Sequence, residues 1–199
     1  MLGLPKTTEL SKQLPKNAIY AKFQMNTAEK AKIDTDISRI TIVNEVSAEK
    51  VHIVAGDQVK SFFVLLVALK KKDFDDKTII TISKLIPQNM LLVLECGDEA
   101  KMSSYHTKLM QTEWKRKEAR SVELKGLNLD SVWENIIMQI GGITIDQGNT
   151  LDEQIAADEH RQKIEKEIAK LEKQACAEKQ PKKKFELAQQ IKRLKDELR

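Results

Sequence analysis

The clearest hydrophobic run in the chain is Ser61–Leu69. Eight of its nine residues are apolar, and Lys70, Lys71 and Lys72 end the run abruptly. A run of this length is typical of a β-strand buried on both faces, and it is shorter than the roughly 18 to 20 residues of a membrane span. The pattern therefore predicts a central β-strand, and a second apolar run at Met90–Leu94 predicts a neighbouring strand over Met90–Glu95.

The segment between these two runs predicts a crossover helix at Lys77–Leu85. Its apolar residues share one face, namely Ile79, Ile82, Leu85 and Ile86, and Pro87 stops the helix. The β-branched residues of this segment would also suit a strand. We prefer a helix because two parallel neighbouring strands need a crossover between them. The two apolar strands are therefore expected to pair in parallel.

Shorter patterns predict the other elements of residues 1–146. Helices are expected from Thr7 or Thr8 to Leu14, from Asn26 or Thr27 to Ser38, and from Leu129 to Gly141-Gly142. Strands are expected at Ile40–Val46, Val51–Ala55 and Ser121–Lys125, with Lys101–Lys108 as a hairpin arm and Thr112–Lys117 as a loop. These elements indicate an α+β (or α/β) domain with a central mixed β-sheet flanked by helices.

Residues 150–199 have a helical pattern throughout. Thr150 and Glu153 form a capping box, and a first apolar set follows: Leu151, Ile155, Ile164, Ile168 and Leu171. Pro181 separates this helix from a second apolar stripe: Phe185, Ala188, Ile191, Leu194 and Leu198. The pattern predicts an antiparallel helical hairpin resembling a coiled coil. The first arm is the longer one, and its spare length can pack on the domain itself or on another protein. We expect the first apolar set to bind a protein partner.

The composition indicates the cellular compartment and argues against a general nucleic-acid-binding function. The chain has 34 Lys and Arg against 30 Asp and Glu, and residues 151–199 hold 13 and 11 of them. Neither residues 1–150 nor residues 151–199 are strongly basic, so the charge of the chain predicts no general affinity for nucleic acid. Cys96 and Cys176 form no disulfide or zinc pattern, and the N-terminus lacks the layout of a secretory signal. We expect a soluble, cytoplasmic protein without a membrane segment.

No pattern predicts a metal or cofactor. The three histidines, His52, His106 and His160, are scattered, and no phosphate-binding glycine loop is present. The sharpest enzymatic hypothesis is a metal-dependent nuclease, in which Glu123 and Lys125 would share one face of a strand. Possible acidic partners are Glu45, Asp57, Glu95 and Asp98. Solvated charges at a sheet edge explain the same residues, so the pattern predicts no catalytic residue.

Basic clusters offer a second kind of site. They are Lys70–Lys72, Lys115–Lys117 beside Trp114, and Lys179 with Lys182–Lys184. Each can contact phosphates, and each also suits a strand end, a loop or a helix turn. The candidate nucleic-acid-binding residues are Lys115, Arg116, Lys182, Lys183 and Lys184. For the hairpin, docking onto a protein is the preferred interpretation, because paired helices that project from a compact domain commonly bridge subunits.

The order of short motifs resembles one bacterial family. The motifs are Leu4–Glu9, Leu14–Lys16, Val67, Leu69–Lys70, Lys72–Asp73, Ile86–Pro87, Leu92–Glu95, Thr112–Trp114, Gly126–Asp130 and Trp133–Asn135. This order is similar to that of the domain-of-unknown-function family numbered 4391 over residues 1 to 145, and the tail resembles an extension of some members. The resemblance implies a locus beside DNA methyltransferases and helicase-type restriction subunits, in defence against phage. It implies no catalytic residue.

These observations together predict a non-catalytic accessory or assembly subunit of a bacterial restriction-modification or anti-phage defence complex, docking through its helical hairpin. The expected partner is a DNA methyltransferase or helicase subunit, with possible contact to DNA. Two alternatives remain open: a metal-dependent nuclease or other DNA-acting enzyme, and a nucleic-acid-binding module. The pattern leaves the oligomeric state undetermined.

Overall fold

A computed structural model describes residues 2–84, 87–146 and 148–198. The chain divides into two compact units, residues 1–143 and residues 144–199. The first unit contains the β-sheet, and the second contains the helical hairpin. Within the described residues, no helix is long and apolar enough to cross a membrane.

The first unit is built on a mixed sheet. Its strands are β1 (Glu9–Leu14), β2 (Ile37–Ser47), β3 (Ser61–Leu69), β4 (Asn89–Cys96), β5 (Glu99–Tyr105), β6 (Leu109–Gln111) and β7 (Lys115–Arg116). The spatial order is β1-β2-β3-β4-β5-β6, and β7 pairs with β5. Strands β3 and β4 pair in parallel, and the other pairs of the described sheet are antiparallel. The two most apolar runs therefore occupy the centre, where both faces of a strand are covered.

Helices cover both faces of this sheet. One face packs against α1 (Lys16–Lys22), α2 (Thr27–Asp36) and α4 (Asp76–Ser83). The core on this side includes Ile19, Ile33, Ile79, Ile82, Leu65, Val67, Leu92 and Leu94. The other face packs against α5 (Leu129–Gly141), whose Trp133 ring lies 5.1 Å from the Phe62 ring. Alternate residues of β3 thus contact different helices, as the two-residue period of a strand requires.

The second unit is a pair of helices. Helix α6 (Leu151–Ala177) and helix α7 (Pro181–Glu197) pack against each other. Contacts between Lys195 Nζ and Glu172 Oε1 at 2.7 Å, and between His160 Nε2 and Glu197 Oε1 at 3.7 Å, join the two arms. Thr150 caps α6 through the predicted box with Glu153. The predicted antiparallel hairpin is therefore confirmed.

The α+β fold class, the central strand, the parallel pair with its crossover helix, and α5 are also confirmed. The predicted position of Leu85 at the end of α4 lies outside the described residues, as does Ile86 in its apolar face. The prediction of a helix ending at Leu14 is wrong. Residues Glu9–Leu14 form β1, an edge strand, because their backbone pairs with β2.

Two further strand predictions are wrong. Val51 ends a short helix, α3 (Ala48–Val51), and His52 turns the chain with a φ of 55° in the left-handed region. Ser121–Lys125 is irregular: Ser121 forms one isolated bridge with Leu2, and the backbone of Glu123 bonds to a side chain of α5. The segment predicted as a loop at Thr112–Lys117 includes β7. In each case local composition gave the wrong secondary structure, because the strands that pair with a segment come from distant parts of the chain.

Candidate functional site

The free end of the hairpin presents an aromatic side chain among lysines. Phe185 is 64% exposed, and Lys182, Lys183 and Lys184 are exposed beside it in the first turn of α7. In the described part of the chain none of these three lysines forms a salt bridge. An exposed aromatic side chain among charged groups can act as an anchor for a partner, because aromatic residues are enriched among those that dominate binding energy. We call Phe185 with Lys182–Lys184 the hairpin tip.

The turn behind this tip is held by its own side chains. The backbone N–H of Gln180 donates to Glu178 Oε1 at 2.9 Å. That bond lowers the pKa of Glu178, with a smaller contribution from the charge of Lys183. A groove of about 510 Å³ runs between the two arms here, lined by Gln174, Ala177, Glu178, Lys183, Glu186, Leu187 and Gln190. The tip is therefore an ordered surface with a recess beside it.

The predicted partner-binding residues lie in a different environment. Leu151, Ile155, Ile164 and Ile168 are buried, and Leu171 is half-buried. In contrast, α7 has no fully buried residue in its described length. These five residues thus form no exposed surface in this structure, and their predicted role in binding a partner stays a prediction. Exposed apolar area on the hairpin is found at Phe185 instead.

The basic residues of the sheet unit fall into two groups. Lys115 and Arg116 form β7 and are exposed, next to the half-buried Trp114. The triplet after β3 is engaged in structure: Lys70 Nζ donates to the Asp34 carbonyl at 2.6 Å, Lys71 pairs with Asp36 at 3.0 Å, and Lys72 pairs with Glu99. The triplet therefore fastens the end of β3, whereas Lys115 and Arg116 remain accessible to ligands.

The nuclease hypothesis loses its geometric basis. Glu123 and Lys125 are exposed, lie outside any strand and form an ion pair with each other. Glu45 pairs with Lys50 at 2.6 Å, and Glu95 lies 3.5 Å from Lys117. Over the described residues, no group of three or more His, Cys, Asp or Glu side chains is arranged to hold a metal ion. The expected shared strand face for Glu123 and Lys125 is therefore wrong.

Comparison with models of protein families shows which family the chain belongs to. The family model described as "Domain of unknown function (DUF4391)" matches residues 2–198. The protein belongs to the DUF4391 family. The match includes α6 and α7, so the hairpin is part of the DUF4391 domain and not an extension beyond it. No curated protein and no solved structure matches the chain.

Two residues of this DUF4391 protein have environments that its sequence does not announce. Arg120 is 8% exposed, although arginine is rarely buried without a charged partner. Asp130 begins α5 and binds three backbone N–H groups of the loop before β3. Arg120 belongs to none of the motifs or basic clusters named above, so only the folded structure shows that it is a buried cation.

Proposed function

We propose that this DUF4391 protein is a non-catalytic accessory subunit of a bacterial restriction-modification or anti-phage defence complex, and that it docks through its helical hairpin. The context rests on what the family resemblance implies, namely genes that lie beside those of DNA-processing enzymes. The exposed hairpin tip supports the mode of action. The proposed partner is a DNA methyltransferase or helicase-type subunit, and the proposed compartment is the cytoplasm, which suits the free thiols of Cys96 and Cys176.

The exposure of Phe185 is the main support for docking. Burying apolar surface in an interface gains about 25 cal/mol per Å² before the costs of association, and aromatic anchors are enriched among residues that dominate binding energy. Lys182, Lys183 and Lys184 surround this anchor with positive charge. The hairpin tip therefore suits an apolar pocket with an acidic rim on a partner protein.

Affinity purification from the native host tests the proposal. The tagged protein should retain a methyltransferase or helicase subunit, and Phe185→Ala should reduce its recovery several-fold. Leu127→Ala is the matched control because Leu127 is also a highly exposed apolar side chain, 93% exposed, but lies in the sheet unit. Equal recovery with Phe185→Ala and the wild type would contradict docking through the tip. Recovery of partners unrelated to DNA would contradict the proposed context.

Direct binding of nucleic acid is a second candidate function. Three adjacent exposed lysines beside an aromatic side chain can contact phosphates and stack on a base. If they do, affinity for single-stranded DNA should fall as salt rises, and each lysine replaced by glutamine should lower the salt slope by roughly one unit or less. Fluorescence anisotropy over a salt series measures this slope. A salt-independent signal would exclude this function for the tip.

A further inference from the structure

A cleft in the sheet unit lies beside β7, between β5 and α5. Its volume is about 450 Å³, and its lining residues are Met102, Thr112, Glu113, Lys115, Ala119, Arg120, Ser121 and Gln139. This volume lies in the range of roughly 300 to 1,000 Å³ that small-molecule sites occupy. Polar and basic residues dominate the lining, so the chemistry of any ligand depends on which of their groups are unoccupied.

Arg120 is the unsatisfied group in this cleft. Its Nε donates to the Ala100 carbonyl oxygen at 2.9 Å, which fixes the guanidinium against β5. Its Nη2 is buried and has no hydrogen-bond partner among the described residues. No carboxylate in the described part of the chain forms a salt bridge with it. A buried charge without a counter-ion is costly, and a bound anion would remove that cost.

The other lining groups decide how many donors remain free. The Gln139 side chain is occupied by both backbone groups of Glu123, at 3.2 and 3.0 Å. Thr112 Oγ1 accepts a hydrogen bond from the Met102 N–H at 2.9 Å, and its own O–H is within donating distance of the Glu113 carbonyl oxygen at 3.3 Å. The Ser121 hydroxyl and the Lys115 ammonium group make no hydrogen bond within the described protein, and both residues are exposed. These two groups, together with the guanidinium of Arg120, which lines the cleft, are the donors not already engaged there.

The charge balance of the cleft is positive. Arg120 and Lys115 carry the two positive charges of the lining, and Glu113, which is exposed, carries the single negative one. Burial lowers the pKa of Arg120, but a guanidinium remains protonated at neutral pH even then. The fork of an arginine matches the oxygen spacing of phosphate and carboxylate groups. A cation in this setting therefore favours an oxyanion.

We propose that this cleft binds a small molecule through a phosphate or carboxylate group, with Arg120 as the buried anchor and Lys115 and Ser121 as further donors. The group must enter the cleft to reach the guanidinium. The cleft has the size of a small-molecule site, so a terminal group on a small ligand fits it better than the backbone of a nucleic acid strand. This site lies in the sheet unit and is independent of the hairpin tip.

Isothermal titration calorimetry on the full chain tests the site, with inorganic phosphate in one arm and malonate in the other. Both arms use chloride to hold the ionic strength constant. We expect saturable binding of one anion per chain. Binding of phosphate alone identifies a phosphate-bearing ligand, and binding of malonate alone identifies a carboxylate. Either result supports the site. Absence of saturable heat with phosphate and also with malonate would overturn it.

Two adjacent residues provide a matched pair of variants. Lys115→Gln removes a charge that lines the cleft, and it should weaken anion binding by roughly three- to tenfold. Arg116→Gln removes the same charge from the next residue of β7, which does not line the cleft because neighbouring strand residues point to opposite faces. This variant should bind within about twofold of the wild type. Equal losses in both variants would show general charge attraction and would overturn the site.

A third variant addresses the anchor itself. Arg120→Lys keeps a charge but loses the fork and the bond to Ala100, so affinity should fall at least about tenfold. Circular dichroism establishes whether this variant is folded, and if it is not, the pair at Lys115 and Arg116 still decides the question. Phe185→Ala should leave anion binding unchanged. The outcome for the cleft is therefore separate from the outcome for docking of the hairpin.

Discussion

At the scale of single residues, Asp130 organises the entry to the central strand. Its carboxylate accepts hydrogen bonds from the N–H groups of Asp57 at 2.7 Å, Gln58 at 3.2 Å and Val59 at 2.7 Å. A Cβ atom on Gly56 would lie 2.2 Å from Asp130 Oδ1, so only glycine allows this close approach. One acidic residue at the start of α5 thereby fixes the loop that precedes β3.

The stability of the protein should depend on the ionised form of Asp130. The backbone bonds, that of Val59 first, lower the pKa of this carboxyl from its ordinary value of 3.8. A lowered folded-state pKa adds stability that is present above the unfolded-state pKa and is lost as pH falls through the folded-state pKa. Asp130→Asn should therefore have a lower urea midpoint than the wild type at pH 7. The midpoint of this variant should also decrease less than that of the wild type when the pH is lowered below 4.

Asp57→Asn is the control for this prediction because Asp57 contributes only its backbone N–H to the three bonds. Its urea midpoint should follow that of the wild type over the same pH range. A wild-type pH profile in Asp130→Asn would mean that the ionised carboxylate adds no stability.

The phenol of Tyr20 should ionise at a higher pH than an ordinary tyrosine. Burial, followed by its hydrogen bond to Asp34 Oδ1 at 2.7 Å, raises the pKa of Tyr20 to about 12 from an ordinary value of 10.0. Because the folded-state pKa is raised, the stability it adds is complete below pH 10 and is lost as pH rises toward 12. Asp34→Asn should lower the pKa of Tyr20 only in part, because burial is the larger cause and remains.

Absorbance of tyrosinate during alkaline titration measures this pKa. The chain has two tyrosines, so Tyr105→Phe leaves Tyr20 as the one titrating phenol. A midpoint near pH 10 in the folded Tyr105→Phe protein would contradict the effect of burial and of Asp34.

At the scale of elements, the two arms of the hairpin begin in opposite ways. Helix α6 starts with a complete capping box and with Asp152 and Glu153 in its first turn, which complement the positive end of a helix dipole. Helix α7 starts with Pro181 and three lysines, without an acidic residue in its first turn and without a side-chain cap. The lysines oppose the dipole, so they lower the stability of this helix start, and the proposed docking would give them a role.

Replacing one of these lysines should therefore separate stability from binding. Lys182→Glu should stabilise the start of α7 by about 0.3 to 1 kcal/mol because the carboxylate complements the dipole. Hydrogen exchange of the α7 amides measures this gain, and recovery of the partner in affinity purification should fall in the same variant. Lys192→Glu, on an exposed residue in the middle of α7, is the control and should lack the gain at the helix start. Faster exchange in Lys182→Glu would contradict the dipole argument.

At the scale of the whole molecule, one unit has the sheet core and the other has the hairpin. The sheet unit has apolar layers on both faces of β3 and β4, formed with α4 on one side and α5 on the other. Such a core provides the burial that an independent fold of this size needs. The hairpin offers a charged, elongated surface. In the proposed function, the hairpin is the unit that binds the partner.

Removal of residues 150–199 should leave a folded sheet unit that no longer co-purifies with its partner. The expected measurement is a retained cooperative thermal transition and the circular dichroism of a mixed fold, together with loss of the partner in affinity purification. Phe185→Ala in the intact chain separates loss of the tip from loss of the whole hairpin. Unaltered co-purification of the truncated chain would contradict docking through residues 150–199.

Much of this architecture is determined by short-range pattern. Ser61–Leu69 is apolar on both faces and can only be satisfied as a covered central strand. Asn128 before α5 and Thr150 before α6 carry the side chains that cap those helices, so both starts were predictable. The hairpin follows from two apolar stripes separated by Pro181. In each case the residues themselves contain the physical cause of the element.

Tertiary structure alone decided the rest. Glu9–Leu14 has no strand pattern and is a strand because β2 offers it unpaired backbone groups. Arg120 is an ordinary basic residue in the sequence, and its burial against β5 makes it the anchor of the proposed anion site. Pairing and burial depend on segments far apart in the chain, and periodicity reports only on neighbours. The sequence therefore determined the central strands, α5 and the hairpin, whereas β1 and the proposed cleft site arose only when distant segments packed together.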